Sequence, residues 1–399
     1  MATPEFFGYL ESKTAAIVDE DHLRDLLDSG RHVAVKFGID PTTKDVHLGH
    51  IVPVMLLSQF IKKGHAIDFV IGDITAKIGD PSGRTSGREV LSESEINKNL
   101  ETYATQISNF IDANKITFYR NSTWLDKIPL RDLLSVFQSV NLSEAFQRDD
   151  FRARAAANQG VSLAEVCYPL LMGLDSIALK SEIEVGGIDQ LLNFHQARNL
   201  MKHKGLRQEV ILVTPIIEGT SGDGRKMSKS FGNYIAVNDS SSDIFGKIMS
   251  IRDELIAPYF QAFGHVHIRE VDSIRHFSED SPMEAKKQLA TLIVGMRYAD
   301  LQRGLEERES FEQRFSRHQL KDELFSDLVV IANTSVFDAL MGSGHYKSRG
   351  ELRRLFDQDA VKNLGEGAKT PLRGDTSVSD NLKIAVGKRG LYKVRIKNT

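Results

Sequence analysis

The sequence predicts an α/β protein built on a parallel sheet, and two patterns carry that prediction. Residues 33–39 (VAVKFGI) and 66–71 (AIDFVI) each have the short apolar run of a buried strand. Between them, residues 50–63 (HIVPVMLLSQFIKK) have the pattern of a helix that ends before Gly64. Strand, helix and strand joined by short loops form a βαβ unit, whose ligands bind at the carboxyl ends of the strands.

The loop after the first strand leads into His47-Leu48-Gly49-His50 at a predicted helix N-terminus. Exposed backbone N–H groups and the helix dipole favour an anion there, and Gly49 lacks a Cβ atom that would obstruct a ligand. Two imidazoles three residues apart lie on one face of the first turn and can donate hydrogen bonds to a phosphate. The same histidines also fit a capping role, a core role or half of a zinc site.

A second motif, Lys226-Met227-Ser228-Lys229-Ser230, follows Gly222-Asp223-Gly224-Arg225. Flanking glycines and serines predict a mobile surface loop, and its lysines can close over a triphosphate. The alternative is a solvated basic loop without a ligand.

Composition limits the class of protein. A chain of 399 residues, 41% hydrophobic and 26% charged, can bury the cores of two or three domains. Neither a membrane-spanning run nor a signal-peptide pattern is present, so we expect no membrane and a cytoplasmic location. Cys167 is the only cysteine, which excludes an intrachain disulfide and a cysteine-based metal site. Because His47 and His50 lack the glutamate of an HExxH motif, we predict no metal site.

Charge is unevenly distributed along the chain. Residues 341–399 contain 13 lysines and arginines against 6 aspartates and glutamates, a net charge of +7, which leaves −10 for the rest of a chain of net charge −3. A basic tail on an acidic body predicts a polyanion at that end, although a basic terminus can also simply be solvated.

Other segments follow the same logic. Asp80, after the second strand, is expected near Asp40 and the two histidines. Asp175, in an apolar helix, needs either a structural partner or a polar ligand. The remaining predicted elements are helices at 5–28, 93–113, 130–143 and 162–180, a helix that begins within 184–190, and strands at 116–119 and 209–214.

Several runs together resemble bacterial tyrosyl-tRNA synthetases, class I aminoacyl-tRNA synthetases with HIGH and KMSKS signatures. They are KFGIDPTTKDVHLGH, GDITAKIGDPSGR, YPLLMGLDS, GGIDQLLNF and GRKMSKSFGNYI. The resemblance covers nearly the whole chain and implies a Rossmann-type parallel sheet, then an α-helical domain, then a small α+β RNA-binding module of the αL type. The implied domains are 1–230 (catalytic), 231–327 (helical, on the anticodon side) and 328–399 (RNA-binding).

The resemblance also implies residue roles. The implied catalytic residues are Thr42, His47, His50, Lys226 and Lys229. The implied ATP site comprises Asp40, Gly49, Asp189, Lys226, Met227 and Lys229, with Mg²⁺ on the triphosphate. The implied amino-acid site comprises Lys36, Asp80, Tyr168, Met172, Asp175 and Gln190. Arg84 and Arg88 are expected on the phosphate and tRNA side.

Three positions depart from the family's pattern. Lys36 stands where many members have a tyrosine that touches the phenol, Met172 where a glutamine contacts the substrate amino group, and Leu174 where a tyrosine is common. Loss of the glutamine makes the pocket more apolar.

The implied function is that of a homodimeric tyrosine–tRNA ligase, with ATP, tyrosine and tRNA(Tyr) as partners. One alternative is a paralogue that activates a tyrosine-like amino acid for another pathway. Another is a non-catalytic RNA-binding protein, against which the intact HLGH and KMSKS segments argue.

Overall fold

The computed structural model describes residues 3–41, 46–81, 92–138, 142–145, 148–229, 231–315, 325–346, 348–364, 370–387 and 390–397. The chain forms two compact units, Met1–Arg308 and Glu309–Thr399. The first unit contains the predicted catalytic segment and most of the predicted helical segment, so the three-domain division stays a prediction.

Six strands of the first unit form one sheet: β1 (Ala16–Val18), β2 (Ala34–Ile39), β3 (Ala66–Ile71), β4 (Ile116–Arg120), β5 (Ile183–Gly187) and β6 (Val210–Thr214). Their order is β1-β6-β5-β2-β3-β4. Every neighbouring pair is parallel except β1 with β6. The strand order reverses between β2 and β5, and such a reversal is where open α/β sheets bind ligands. The predicted fold class is confirmed.

Helices connect and flank these strands. Before residue 316 they are α1 (Thr3–Lys13), α2 (Glu20–Asp28), α3 (Leu48–Lys62), α4 (Thr75–Ile78), α5 (Glu93–Ile107), α6 (Ser122–Leu125), α7 (Leu130–Phe137), α8 (Leu142–Ala145), α9 (Asp149–Ala156), α10 (Leu163–Leu179), α11 (Leu191–His203), α12 (Ser241–Met249), α13 (Ile256–Phe263), α14 (Val271–Asp280), α15 (Pro282–Tyr298) and α16 (Leu301–Phe315). Single 3₁₀ turns occur at Ala113–Lys115, Ile188–Gln190, Asp253–Leu255 and Ile268–Glu270.

Two local predictions were wrong. The expected helix at 5–28 is divided by β1, because residues 16–18 pair antiparallel with β6 and that tertiary pairing outweighs helical spacing. The segment expected to begin a helix within 184–190 is instead β5 followed by a 3₁₀ turn, and α11 begins at Leu191. This strand is buried between β2 and β6, which hydrogen-bond to it on both sides.

One close contact fixes the position of α11 against the sheet. Phe194 of α11 is buried with Ile211 and Val213 of β6. A Cβ atom on Gly186 would lie 2.4 Å from the Phe194 ring, so only glycine allows α11 to lie this close to the end of β5.

After α16, the described residues of the second unit contain a sheet and two helices. Its elements are β7 (Ser326–Val330), α17 (Val336–Gly342), α18 (Arg349–Asp357), β8 (Val361–Asn363), β9 (Thr370–Pro371), β10 (Lys383–Val386) and β11 (Gly390–Ile396). The strand order is β7-β11-β10-β8-β9, and only the β7–β11 pair is parallel. Leu340, Leu352, Ile384 and Val394 lie at the centre of its core, all fully buried. Of the helices in the described ranges, none is both long and apolar enough to cross a bilayer.

Candidate active site

A cleft of about 590 Å³ opens at the carboxyl ends of β2, β3 and β5. It brings together most of the residues that the sequence singled out: Lys36, Asp40, His47, Gly49, His50, Asp80, Tyr168, Met172, Asp175, Asp189, Gln190, Lys226, Met227 and Lys229. Thr42, Arg84 and Arg88 lie outside the residues that the structure describes.

The two histidines stack against each other at the start of α3. Their ring centroids are 3.8 Å apart, and His50 Nδ1 accepts a hydrogen bond from the His47 backbone N–H at 3.3 Å. Burial, followed by the charges of Lys226 and Lys229, lowers the pKa of His50 to about 4. Burial, followed by His50, lowers the pKa of His47 further. Both rings are therefore neutral at pH 7, and His50 carries its proton on Nε2, which makes that atom a donor.

Gly49 keeps the first turn of α3 open. A Cβ atom at this position would lie 3.0 Å from the His47 ring and 3.8 Å from the Cβ atom of Met227. Any larger residue would press on the stacked imidazoles.

The segment around His47 is hydrogen-bonded to the chain that follows the KMSKS loop. His47 forms an antiparallel bridge with Ala236. Leu48 donates its N–H to the Ile235 carbonyl at 3.0 Å, and Val237 donates to the Val46 carbonyl at 2.9 Å. Backbone hydrogen bonds therefore join the HLGH segment to residues 235–237, which follow the KMSKS motif.

The lysine loop has its own support. Met227 is buried and donates its N–H to the Ile217 carbonyl at 2.9 Å. The fully buried side chain of Asn233 accepts from the Ser228 N–H at 2.8 Å and donates to the Lys226 carbonyl at 3.1 Å. Lys226 also reaches across the cleft, where its Nζ lies 3.3 Å from Asp189 Oδ2.

Asp40 lies at the end of β2 within a hydrogen-bonded group. It accepts from Thr75 Oγ1 at 2.7 Å and from the Tyr168 hydroxyl at 3.0 Å. Burial is the main cause that raises the pKa of Asp40 to about 7; the hydrogen bond from Thr75 opposes this rise, and the charge of Asp80 adds to it. A Cβ atom on Gly72 would lie 2.2 Å from Asp40 Oδ1, so the chain needs glycine there.

Asp80 is held by amides on the opposite wall. Gln190 Nε2 donates to one carboxylate oxygen at 2.6 Å, and Asn193 Nδ2 donates to the other at 3.1 Å. Asn193 is in turn held by Arg148, whose guanidinium donates to the Asn193 amide oxygen at 2.6 Å. Asp80 and Gln190, both predicted at the amino-acid site, are therefore direct neighbours.

Asp175 lies on the cleft floor and is 5% exposed. Trp124 Nε1 donates to one of its oxygens at 2.8 Å, and Asn121 Nδ2 donates to the other at 3.4 Å. Burial raises the pKa of Asp175 to about 6, an effect that the Lys36 charge and the Trp124 and Asn121 hydrogen bonds partly offset. At neutral pH this carboxyl is largely ionised and accepts hydrogen bonds.

Several supporting residues were not predicted from the sequence. Asn121 and Trp124 follow β4, and their place at the carboxyl end of a parallel strand was the available signal. Glu184, expected at the start of a helix, lies in β5 directly opposite Lys36 of β2. A charged residue on each of two buried neighbouring strands was the signal for that pair. Asn233 gave no signal before the loop geometry was known.

The comparisons with known proteins agree with this geometry. Residues 28–315 match a family model described as "tRNA synthetases class I (W and Y)". The chain belongs to the class I tRNA synthetase family. The match spans the cleft, both signature segments and the helices that follow them.

Individual members of the family match along nearly their whole length. Tyrosine–tRNA ligase of Aquifex aeolicus is 34% identical over 99% of both chains. The Coxiella burnetii enzyme of the same name is 34% identical over 99% of this chain and 100% of its own. The Syntrophotalea carbinolica enzyme is 35% identical over 94% of this chain and 93% of its own.

Solved structures of the family share the fold. A C-terminally truncated mitochondrial tyrosyl-tRNA synthetase of Aspergillus nidulans aligns with a TM-score of 0.62 at 22% identity, over 78% of this chain and 94% of its own. Tyrosyl-tRNA synthetase of Archaeoglobus fulgidus in complex with L-tyrosine aligns with a TM-score of 0.61 at 22% identity. The alignment covers 77% of this chain and 100% of that enzyme's chain.

Proposed function

We propose that this chain is a tyrosine–tRNA ligase, which activates tyrosine with ATP to tyrosyl-adenylate, releases pyrophosphate and transfers the tyrosyl group to tRNA(Tyr). The observation that carries the proposal is the single cleft that both signature segments and Asp175 line. A paralogue serving another pathway is not favoured, because relatives named tyrosine–tRNA ligase align over 93–100% of their own length.

In the activation step, the carboxylate of tyrosine attacks the α-phosphorus of ATP and pyrophosphate leaves. The nucleophile is already ionised, so the site needs alignment and charge stabilisation rather than a general base. Neutral His47 and His50, beside the N-terminus of α3, supply hydrogen-bond donors to phosphate oxygens without a change in protonation. Lys226 and Lys229 supply positive charge for the pyrophosphate. Arg84 and Arg88 are proposed to add positive charge nearby, and Thr42 is proposed to stabilise the γ-phosphate together with His47.

ATP would extend from these groups along the carboxyl end of β5. Asp189 follows Gly186 and Gly187 and is proposed to bind the ribose, while Met227 and Gly49 form the walls near it. Asp40 would hold the adenylate.

Mg²⁺ is proposed to enter on the phosphates of ATP. The cleft's acidic side chains already have protein partners: Asp40 with Thr75, Asp80 with Gln190, and Asp189 with Lys226. Such groups suit a metal held mainly by substrate phosphates and water, which is the usual arrangement for Mg²⁺.

The amino acid would lie between two polar ends. Asp80, Tyr168 and Gln190 are proposed to bind its amino and carboxylate groups. Asp175 is proposed to accept the hydrogen bond of the phenol hydroxyl, and Met172 forms an apolar wall.

The second unit is proposed to bind tRNA together with the helical segment 231–327. Arg349, Arg353 and Arg354 of α18 are exposed, as are Arg395 and Lys397 at the end of the chain. Clustered cations of this kind bind the phosphate backbone of RNA.

A homodimer is also proposed, with a contact surface on α7 and the start of α10. Leu130 and Leu134, one turn apart on α7, are 70% and 52% exposed, and Leu163 is 71% exposed. Large exposed apolar side chains favour a protein interface, and α7 packs against α10 through Val136 and Leu170. Light scattering tests this: Leu134→Glu should yield monomers, whereas Leu206→Glu, at an exposed leucine outside this region, should leave the dimer intact. A monomeric wild type would contradict it.

The enzymatic proposal is tested by exchange of labelled pyrophosphate into ATP across a panel of amino acids, followed by charging of bacterial tRNA(Tyr). Exchange should require tyrosine, and the tyrosyl group should appear on tRNA. Exchange supported equally by phenylalanine would contradict the role of Asp175, and exchange without charging would contradict the ligase.

A further inference from the structure

A fully buried polar cluster lies beneath the amino-acid end of the cleft. Lys36 of β2 and Glu184 of β5 are partners in register, with Nζ 2.9 Å from Oε1 and both side chains 2% exposed. Glu209, immediately before β6, is 1% exposed. We call these three residues the Lys36 cluster. Burying ions is costly, and well-packed apolar residues often give equal stability, so such a cluster calls for a role beyond stability.

The ammonium of Lys36 is saturated by protein groups. It donates to Glu184 Oε1, to Ser176 Oγ at 2.5 Å and to the Met172 carbonyl at 3.2 Å. Its three N–H bonds are therefore used, and it has none to give to a ligand. Two of its acceptors, Met172 and Ser176, flank Asp175 on α10, so the charge of Lys36 acts on the turn that carries Asp175.

The two glutamates each have one oxygen without a donor. Ser176 Oγ donates to Glu209 Oε1 at 2.9 Å, whereas Glu184 Oε2 and Glu209 Oε2 are buried without a hydrogen-bond partner. Two carboxylates in one dry site do not both ionise. Burial raises the pKa of Glu184 well above its ordinary value; the Lys36 charge opposes this rise, and the neighbouring Glu209 adds to it. The side chains of Glu184 and Glu209 are within hydrogen-bond distance of each other, and one proton held between the two carboxyl groups satisfies that contact.

We propose that Glu184 and Glu209 share one proton, so that the Lys36 cluster is neutral as a whole, and that the cluster holds Asp175 ionised and oriented to read the substrate hydroxyl. If both glutamates were ionised, the cluster would carry a negative charge next to Asp175 and oppose its ionisation. With the shared proton, Lys36 supports the Asp175 carboxylate from one side while Trp124 and Asn121 hold it from the other.

Lys36, Glu184 and Glu209 are thus positioning residues for discrimination between tyrosine and phenylalanine. This inference rests on the proposed function, because it takes Asp175 as the group that meets the phenol. The inference also assigns a role to Lys36, at a position where the family usually has a tyrosine.

A double-mutant cycle tests the shared proton. The ratio of kcat/KM for tyrosine to that for phenylalanine is measured by pyrophosphate exchange in wild type, Glu184→Gln, Glu209→Gln and the double variant. In each single variant a glutamine amide N–H replaces the shared proton, so the ratio should fall by less than about threefold. The double variant leaves the buried Lys36 without a glutamate counter-charge, so Lys36 should lose its proton and with it the charge that supports the Asp175 carboxylate. The ratio should therefore fall about tenfold or more, beyond the product of the two single effects.

Two further measurements separate positioning from folding. In the double variant and in Lys36→Met, the KM for tyrosine should rise while the KM for ATP stays unchanged, because the nucleotide end is not touched. Glu182→Gln is the matched control, since this residue precedes β5 and pairs with Arg31 outside the cleft. A purely structural role would raise both KM values together and would overturn the proposal, as would an unaltered ratio in Lys36→Met.

Infrared difference spectroscopy shows directly whether a carboxyl group of the Lys36 cluster is protonated. At neutral pH, wild type should show a protonated-carboxyl C=O band that both single glutamine variants lose and Glu182→Gln keeps. Absence of this change overturns the shared proton. A wild type without tyrosine-dependent exchange contradicts the proposed function instead, and the infrared result still decides the protonation of the cluster.

Discussion

Lys226 Nζ lies 3.3 Å from Asp189 Oδ2, and this contact joins the KMSKS loop to the 3₁₀ turn after β5. The two side chains are 44% and 31% exposed, and ion pairs this open to solvent contribute about 0–1 kcal/mol to stability. The contact therefore positions the loop more than it stabilises the fold.

Replacing Lys226 with methionine should accordingly lower catalysis without unfolding the protein. We expect tyrosine-dependent pyrophosphate exchange to fall about 10²-fold, because the positive charge that stabilises the departing pyrophosphate is lost. The melting temperature should change by less than about 3 °C. Lys202→Met, at an exposed lysine of α11, is the control. A large drop in melting temperature would mean that the pair is structural.

His47 and Lys229 are expected to act in the transition state. Changing either to alanine should slow adenylate formation by about 10²–10³-fold, as when one transition-state donor is removed, with little change in tyrosine affinity. Single-turnover formation of the adenylate measures this effect, with exposed His32→Ala as control. Near-normal rates in either variant would remove that residue from the mechanism.

Asp175 is expected to set the choice of amino acid. Tyrosyl-tRNA synthetases reject phenylalanine by about 10⁵ without editing, because phenylalanine leaves the buried groups that bind the tyrosine hydroxyl without a hydrogen-bond partner. Asp175→Ala should therefore lower kcat/KM for tyrosine far more than for phenylalanine, and Met172→Gln should preserve or tighten tyrosine binding. Equal losses for both substrates would show that the carboxyl does not read the hydroxyl.

Asp40 should make stability depend on pH. Its pKa is about 7 in the folded protein, against an ordinary value of 3.8, chiefly because of burial. The stability that it contributes is thus fully present below pH 4 and is lost as pH rises through 7. Between pH 4 and 8 the melting temperature of wild type should fall relative to that of Asp40→Asn. Asp28→Asn, at an exposed position, should follow wild type; parallel curves for Asp40→Asn would contradict the shift.

The second unit is expected to affect charging of tRNA and not activation of the amino acid. Deleting residues 325–399 removes β7 to β11, and we expect tyrosine-dependent exchange to change by less than about twofold because the cleft is untouched. Charging of tRNA should fall sharply and lose much of its salt dependence. In the intact chain, Arg349→Glu with Arg353→Glu should act in the same direction. Normal charging by the truncated protein would exclude RNA binding by this unit.

Local pattern predicted much of the sheet, and resemblance predicted the cleft residues. The strand at 66–71 and the helix after HLGH have strong local signals, and the structure places both within two residues of expectation. What local pattern missed depends on partners far along the chain. Residues 16–18 form a strand because they pair with β6. The burial of Glu184 is explained only by Lys36, which lies opposite it on β2. Trp124 has no visible role until α10 brings Asp175 within 2.8 Å.

The bridge between His47 and Ala236 also has a consequence for the order in which the protein is made. The ribosome synthesises His47 long before Ala236, which follows about 190 residues later. The N-terminus of α3 therefore emerges from the exit tunnel well ahead of the backbone groups that later bond to it. An incomplete nascent chain that stops before Ile235 has both histidines but lacks the backbone partners that bind residues 46–48 at the start of α3. We therefore expect the nucleotide cleft to form only after Val237 has been synthesised, when more than half of the polypeptide is complete.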